Sequence, residues 1–208
     1  MALLLPHSVF LHIPKTGGMW VRQALLRSGL AKAELRHRQN AEGTLTAYPH
    51  CCKHTRVEDL DDHSIKGKMF FAFVRHPLSY YQSYWAFKMR TGWNHRDIFD
   101  QTFAHEDFSS FVRAVTSEKP GWVTSMYQAY LGNDRVHIIG KQETLAEDLI
   151  RALTEAGEMF DASIIRGTPK QNEAASLDSW REQCRYTPKL ELAVRRSEQE
   201  ALKVFEYF

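Results

Sequence analysis

The sequence predicts an α/β protein in which helices flank a central parallel β-sheet on both faces. The evidence is three short apolar runs, each followed by a segment with helical periodicity; the runs are residues 8–13, 68–74 and 135–139. Strands that alternate with helices are typical of a parallel sheet covered on both sides. Ligands of such sheets bind at the carboxyl ends of the strands, so the segments that follow the runs are the first place to look for a site.

The helices are assigned from apolar spacing, caps and breakers. In chain order they are expected from the glycines at 17–18 to Gly29, from Pro77 past Met89, over 106–118, from Thr124 to Leu131, from Thr144 to Gly157, and from Pro188 to Phe205. Thr144 and Glu147 have the spacing of a capping box. Ile164 and Ile165 are expected in a short strand or an extended loop.

The composition fits a single domain over residues 1–208, with 43% hydrophobic residues available for a core. A net charge of +2 gives no general case for nucleic acid, so any anion must be recognised locally. Three cysteines give no disulfide framework and suit a reducing compartment. The N-terminus is too short and uncharged for a signal peptide, and nothing approaches the roughly 18 apolar residues of a transmembrane segment. We therefore expect a cytoplasmic protein; its oligomeric state is left open.

The segment Lys15-Thr16-Gly17-Gly18 lies between the first predicted strand and the first helix. The first turn of a helix has backbone N–H groups without intrahelical partners, at the positive end of the helix dipole. Glycines let an anion approach this backbone closely, and a lysine adds a full charge. The order strand, glycine turn and helix therefore favours an anion site over a turn whose glycines serve packing alone.

Arg75 follows the second predicted strand, and Ser83 lies eight residues further on, about two turns into the next helix. A guanidinium and a serine hydroxyl together suit a phosphate dianion. Taken alone, this pattern would be better interpreted as an arginine that pairs with a carboxylate and a serine that is exposed to solvent. The neighbouring anion loop shifts the balance toward a second phosphate site.

Together the two motifs resemble those of the PAPS-dependent sulfotransferases. His12-Ile-Pro-Lys-Thr-Gly-Gly18 is similar to the family's 5'-phosphosulfate loop, and Arg75-His-Pro-Leu-Ser-Tyr-Tyr-Gln-Ser83 to its 3'-phosphate motif. The resemblance is nearest to the Golgi carbohydrate sulfotransferases and their bacterial relatives. It continues weakly over residues 138–145, 170–172 and 186–208.

The resemblance implies a P-loop-like three-layer fold. It also implies that the donor is 3'-phosphoadenylyl sulfate (PAPS), that the product is adenosine 3',5'-bisphosphate, and that no metal is needed. The residues implied to hold the 5'-phosphosulfate are Lys15, Thr16, Gly17 and Gly18, and those implied to hold the 3'-phosphate are Arg75 and Ser83. The acceptor would be a carbohydrate or a small molecule with a hydroxyl or amine; sugar, lipid, phenol and peptide tyrosine all stay open.

Two residues of the first helix, Met19 and Trp20, are also assigned to donor binding. The family usually has Thr or Ser where this chain has Met19, so one side-chain hydroxyl is missing while the backbone N–H remains. Trp20 is expected either in the core or beside the donor.

The resemblance also implies catalytic residues. Lys15 would neutralise charge on the oxygen that bridges sulfur and phosphorus as it leaves. The acceptor must lose a proton, and the family places its base in the segment before the second strand, where His54 is the first choice, His50 the second and Glu58 the acidic alternative. A surface histidine without a catalytic role is the competing interpretation of His54.

Two other patterns receive less weight. The segment His50-Cys51-Cys52-Lys53-His54 invites a zinc site, but adjacent cysteines do not easily occupy two tetrahedral corners. Residues 85–96 mix aromatic and basic side chains and fit either a lid over the acceptor or a solvated helix end.

Two rival functions remain. An ATP-dependent phosphotransferase is disfavoured because the first loop lacks Gly-x-x-x-x-Gly-Lys-Ser/Thr, and because no strand visibly ends in a magnesium-binding aspartate. A nucleotide-binding domain without catalysis is favoured only by Met19.

Overall fold

The computed structural model describes residues 2–35, 56–57, 60, 62–132, 135–169 and 179–207. The chain divides into two compact units, one formed by residues 1–74 and 128–171 and the other by residues 75–127 and 172–208. The assignment of the whole chain to a single domain stays a prediction.

The first unit contains a mostly parallel five-stranded sheet with the order β3-β1-β2-β4-β5. Its strands are β1 (Ala2–Leu4), β2 (Ser8–Leu11), β3 (Ala33–Leu35), β4 (Met69–Val74) and β5 (Ile138–Lys141). The neighbours β2, β4 and β5 are parallel, whereas β1 pairs antiparallel with β2 and with β3. The predicted α/β class is confirmed, and the antiparallel pair β1 and β3 is an addition to it.

Helices fill most of the remaining described chain. They are α1 (Gly18–Arg27), α2 (Asp62–Ile65), α3 (Pro77–Thr91), α4 (Ile98–Phe103), α5 (Phe108–Glu118), α6 (Trp122–Leu131), α7 (Leu145–Glu155), α8 (Ala162–Arg166), α9 (Ser179–Glu182), α10 (Pro188–Ser197) and α11 (Gln199–Val204). Within the described ranges, no helix is both long enough and apolar enough to cross a bilayer.

A row of buried side chains crosses the sheet of the first unit. Leu3 is in register with Phe10, Phe10 with Phe71, and Phe71 with Ile138. Because residues in register on neighbouring strands project from the same side, these residues share one face of the sheet. The same hydrophobic cluster includes residues of α1, α7 and α8, so that β2 and the helix after it are held by one core.

The second unit is built around aromatic side chains of α3, α5 and α6. Trp122 contacts Tyr81 and Tyr84 edge-on, with ring centroids 5.1 and 4.9 Å apart. Phe111 stacks on Tyr84 at 6.2 Å. Of the aromatic side chains of α3, Tyr80, Tyr81 and Trp85 are buried, whereas Phe87 is exposed.

The long helix expected from Pro188 to Phe205 is interrupted at Glu198, between α10 and α11. The Glu198 carboxylate is fully buried and accepts hydrogen bonds from the Tyr81 hydroxyl (2.9 Å) and from the backbone N–H groups of Val123 (3.1 Å) and Thr124 (2.9 Å). It also accepts one from the Thr124 hydroxyl at 2.8 Å. A carboxylate at the amino end of α6 is favourable because it satisfies first-turn donors and faces the positive end of the helix dipole.

Replacing Glu198 with alanine is expected to lower the free energy of unfolding by about 3 kcal/mol, because two buried N–H groups and two hydroxyls would lose their acceptor. Urea unfolding measures the change. The control is Glu191→Ala, which removes a surface pair with Arg195 (2.8 Å) and should cost less than about 1 kcal/mol. Equal small losses for the two variants would contradict the structural role given to Glu198.

Several element predictions differ in detail from the structure. The third predicted strand lies later than expected, at Ile138–Lys141 rather than 135–139. The strand or loop expected at Ile164 and Ile165 is wrong, because both residues belong to α8, which the Asp161 carboxylate caps by accepting from Ser163 N–H at 2.8 Å. The helix expected from Thr124 begins at Trp122.

The capping box expected at Thr144 is also wrong. The helix α7 does begin just after Thr144, but the Thr144 hydroxyl donates to the Asp148 carboxylate at 2.7 Å instead of capping a backbone N–H. Asp148 also accepts from the Lys141 N–H at 2.7 Å, which ties the end of β5 to the first turn of α7.

Candidate active site

The loop between β2 and α1 turns sharply at two left-handed residues, Lys15 (φ 65°) and Gly17 (φ 87°). A positive φ is uncommon for a residue with a side chain, so Lys15 holds a backbone conformation that the surrounding loop must stabilise. Gly17 is the N-cap of α1, and no side chain caps the helix there. The Trp20 N–H donates to the Gly17 carbonyl at 2.9 Å, whereas the Gly18 and Met19 amides come too early in α1 to have an acceptor within the helix, which is typical of an anion site at a helix N-terminus.

Close contacts explain why two glycines stand in this loop. A Cβ placed on Gly18 would lie 1.9 Å from His12 Cδ2, and one on Gly17 would lie 2.6 Å from Leu145 Cδ2. The His12 ring is buried and stacks on Phe10, with centroids 6.1 Å apart. His12 and Leu145 thus occupy the space that side chains at 17 and 18 would need, which explains why the loop has glycine at both positions.

Thr16 has a different role from the one a motif suggests. Its side chain is buried, and its hydroxyl donates to the Ile13 carbonyl at 2.9 Å. The hydroxyl therefore closes the loop on itself, and its proton is engaged within the loop.

The side chains of Met19 and Trp20, the residues after the two glycines, have different surroundings. The Met19 side chain is 53% exposed, so the position where the resembling family has a hydroxyl lies at the surface. The Trp20 indole packs at the margin of the hydrophobic cluster and donates to the Thr168 carbonyl at 3.3 Å. Of the two roles considered for Trp20, the core contact is the one seen.

Arg75 is the first residue after β4, and Tyr127 and Ser79 both form hydrogen bonds with it. Its backbone N–H donates to the Tyr127 hydroxyl at 2.9 Å, and its carbonyl accepts from the same hydroxyl at 2.6 Å. Its Nε donates to Ser79 Oγ at 3.2 Å. Ser83 lies half-buried one turn after Ser79, on the same side of α3.

Sequence reasoning missed Ser79 and Tyr127. Ser79 stands inside the quoted motif, four residues after Arg75, and that spacing was the signal that could have found it. Tyr127 is 52 residues away from Arg75, and no local pattern marks it. His76 is the N-cap of α3, where its Nδ1 accepts from Leu78 N–H at 3.1 Å.

The three candidates for the general base, His54, His50 and Glu58, lie outside the described residues, as does the weaker match at 170–172. The four residues considered for zinc lie in the same undescribed segment. In the part of the chain that the structure describes, no group of three or more His, Cys, Asp or Glu side chains could hold a metal ion.

Residues 85–96, considered as a lid or a solvated helix end, form the last turns of α3 and the loop after it, and a buried carboxylate contacts them. Asp100 accepts from the Tyr84 hydroxyl at 2.6 Å and from Asn94 N–H at 2.7 Å, and it pairs with Lys88. Trp93 packs on Phe111 with centroids 5.8 Å apart. These contacts tie Trp93 and Asn94 to the second unit, whereas residues 90–92, 95 and 96 are exposed.

The whole chain is similar in fold to the crystal structure of mouse sulfotransferase SULT7A1 complexed with PAP. The TM-score is 0.58 with 16% sequence identity, over 95% of this chain and 84% of that chain. No family model matches the sequence, and no curated protein sequence matches it. At this identity the likeness concerns the fold, and it confirms the P-loop-like α/β architecture implied by the motifs.

Proposed function

We propose that this chain is a PAPS-dependent sulfotransferase that transfers a sulfuryl group to a hydroxyl or amine of a carbohydrate or small-molecule acceptor. The observation that carries the proposal is the loop between β2 and α1, where Lys15 and two closely packed glycines lead into the first turn of α1, whose earliest N–H groups have no acceptor within the helix. The likeness in fold between this chain and a sulfotransferase complexed with PAP is supporting evidence. The nearest subgroup, that of the Golgi carbohydrate enzymes, and a cytoplasmic location stay predictions.

The two motifs taken together support a donor with two phosphate-bearing ends. Strands β2 and β4 are parallel neighbours, so the loop with Lys15 and the turn with Arg75 both start from the carboxyl edge of the sheet. In the proposal the amides of residues 16–19 and Lys15 bind the 5'-phosphosulfate, while Arg75 and Ser83 bind the 3'-phosphate. Trp20, whose indole is engaged with Thr168, is placed in the wall of the site rather than on the phosphates.

The donor supplies a sulfuryl group whose bond to the 5'-phosphate breaks as a bond to the acceptor oxygen or nitrogen forms, which releases adenosine 3',5'-bisphosphate (PAP). The chain's part is to position and to stabilise charge, as in phosphoryl transfer. Lys15 offsets the negative charge that collects on the leaving phosphate. The acceptor proton passes to a general base, for which His54 is proposed, with His50 and Glu58 as alternatives.

A His54→Ala variant is expected to lower kcat about 10²- to 10³-fold while the Kd for PAP changes less than twofold. A histidine base must be neutral to accept the proton, so wild-type kcat should fall as the pH drops below about 6.5, and the residual rate of the variant should lack that limb. His50→Ala and Glu58→Gln are the matched controls. Full turnover by His54→Ala would show that His54 is not the base. A loss of kcat in only one of the two controls would assign the base to the residue replaced in that control.

Thermal-shift measurements with PAP, ATP and ATP plus magnesium test the proposal without an acceptor. PAP should raise the Tm in proportion to the logarithm of its concentration, and more than ATP at equal concentration, because ATP lacks a 3'-phosphate. Stabilisation by ATP–magnesium alone would favour a phosphotransferase and contradict the proposal. PAP binding with PAPS never consumed, over hydroxyl and amine acceptors of every class named above, would favour a domain without catalysis.

A further inference from the structure

The buried Tyr127 hydroxyl engages both backbone polar groups of Arg75. The ladder between β4 and β5 ends at Val74, which is in register with Lys141, so Arg75 is the first residue beyond the strand pairing. The Tyr127 hydroxyl accepts from its N–H and donates to its carbonyl. Because one atom engages both polar groups of this residue, it fixes the direction in which the chain leaves the strand.

Tyr127 itself is held firmly. Its side chain is fully buried, between Tyr80 (centroids 6.1 Å apart) and Phe205 (5.5 Å), each in an edge-on contact. Its helix, α6, has its amino end held by the Glu198 carboxylate. Burial raises the pKa of the Tyr127 hydroxyl well above its usual range, so the hydroxyl keeps its proton and can donate to Arg75 at any working pH.

The Arg75 side chain is held separately. Ser79 Oγ accepts from Nε at 3.2 Å and donates to the His76 carbonyl at 3.0 Å. Ser79 therefore turns the guanidinium along the face of α3 on which Ser83 follows one turn later. A planar guanidinium recognises phosphate through a fixed fork of donors, so its orientation decides how well it binds.

We propose that Tyr127 and Ser79 are positioning residues for Arg75, and that through Arg75 they set the preference of the site for a nucleotide with a 3'-phosphate over one with a 5'-phosphate alone. The inference rests on the proposed function, since it takes Arg75 as the 3'-phosphate ligand. Neither residue needs to touch the nucleotide, because each acts on the geometry of Arg75: Tyr127 on its backbone and Ser79 on its guanidinium.

The test compares the Kd for PAP with the Kd for adenosine 5'-phosphate by calorimetry. Tyr127→Phe removes one oxygen and both bonds to Arg75 while the ring stays, and Ser79→Ala removes the partner of Nε. We expect each variant to weaken PAP binding about tenfold and to change adenosine 5'-phosphate binding less than twofold. The KM for PAPS should rise in parallel, with a smaller change in kcat.

Tyr81→Phe is the matched control, because Tyr81 is an equally buried tyrosine whose hydroxyl is bonded to Glu198 and not to Arg75. It should leave the preference for PAP unchanged. In an Arg75→Ala background, where the preference is already lost, Tyr127→Phe and Ser79→Ala should each add less than twofold.

Equal weakening of both nucleotides, or an unchanged preference in both variants, would overturn the inference. If Tyr127→Phe does not fold, Ser79→Ala decides, because the half-buried Ser79 can lose its hydroxyl without leaving a large cavity. A wild-type protein that binds PAP no better than adenosine 5'-phosphate would instead contradict the proposed function itself. The comparison of PAP with adenosine 5'-phosphate in the wild-type protein therefore distinguishes a failure of the inference from a failure of the proposed function.

Discussion

Replacing Lys15 with alanine is expected to lower kcat for sulfuryl transfer by about 10³-fold, the effect of removing a charged group that stabilises a transition state. The charge matters most as the bridging oxygen leaves, so kcat should fall more than the affinity for PAPS. Single-turnover transfer of labelled sulfuryl from PAPS measures the step itself.

Two further variants, Lys15→Met and Lys189→Ala, separate the effect of the lost Lys15 charge from effects on the backbone and on net charge. Lys15 has a left-handed backbone with φ 65°, and alanine and methionine carry much the same conformational cost as lysine. Lys15→Met keeps most of the side-chain length and should be as inactive as Lys15→Ala, with stability within about 0.5 kcal/mol of wild type. Lys189→Ala, at an exposed lysine of α10, is the control for lost charge alone. Turnover within tenfold of wild type in Lys15→Ala would contradict the role proposed for Lys15.

Replacing Gly18 with alanine is expected to weaken PAP binding more than tenfold and to lower stability by about 3 kcal/mol, because the new methyl group would meet the buried His12 ring. The predicted Cβ position lies 1.9 Å from His12 Cδ2 and 2.3 Å from Nε2, closer than any non-bonded contact allows. The ring must move or the first turn of α1 must shift, and either change is expected to disturb the amides that are proposed to bind the 5'-phosphosulfate.

A size exchange tests this explanation. In the double variant Gly18→Ala with His12→Ala, the ring that blocks the methyl group is gone, so part of the lost PAP affinity should return. His12→Ala alone measures the cost of the cavity, which is about 2–4 kcal/mol for a buried ring of this kind. Wild-type stability and PAP affinity in Gly18→Ala would contradict the packing argument.

The elements that carry the proposed site were predictable because their signals are local. The run at 8–13 and the glycines after it predicted β2, the loop and α1, which the structure confirms over Ser8–Leu11 and Gly18–Arg27. Pro77 predicted the start of α3 correctly, since its fixed φ suits a first-turn position.

The elements that sequence reasoning missed depend on partners distant in the chain. Strands β1 and β3 have three residues each, which is too short for a periodic signal, and they exist because each pairs with a neighbour. The break at Glu198 accompanies a carboxylate that caps a helix more than 70 residues earlier in the chain. Helical periodicity reports which face of a segment is apolar and contains no information about such a cap.

The sequence also does not predict the direction in which a side chain points, as Thr16 illustrates. A threonine in a phosphate loop suggests a hydroxyl aimed at the ligand, yet this hydroxyl bonds the Ile13 carbonyl within the loop. Residue type and spacing place a side chain near a site, but the local hydrogen bonds decide which of its groups is offered. Tyr127 shows the same limit at long range, because only the folded chain brings its hydroxyl to Arg75.

A crystal structure of the protein with PAP is the decisive measurement of the proposed two-phosphate site. The 5'-phosphate should accept hydrogen bonds from the amides at the amino end of α1 and from Lys15, and the 3'-phosphate from Arg75 and Ser83. Such a complex would also show which residue of the segment with His50, His54 and Glu58 faces the leaving phosphate. PAP bound away from the Lys15 loop, or bound there with its 3'-phosphate far from Arg75, would contradict the account.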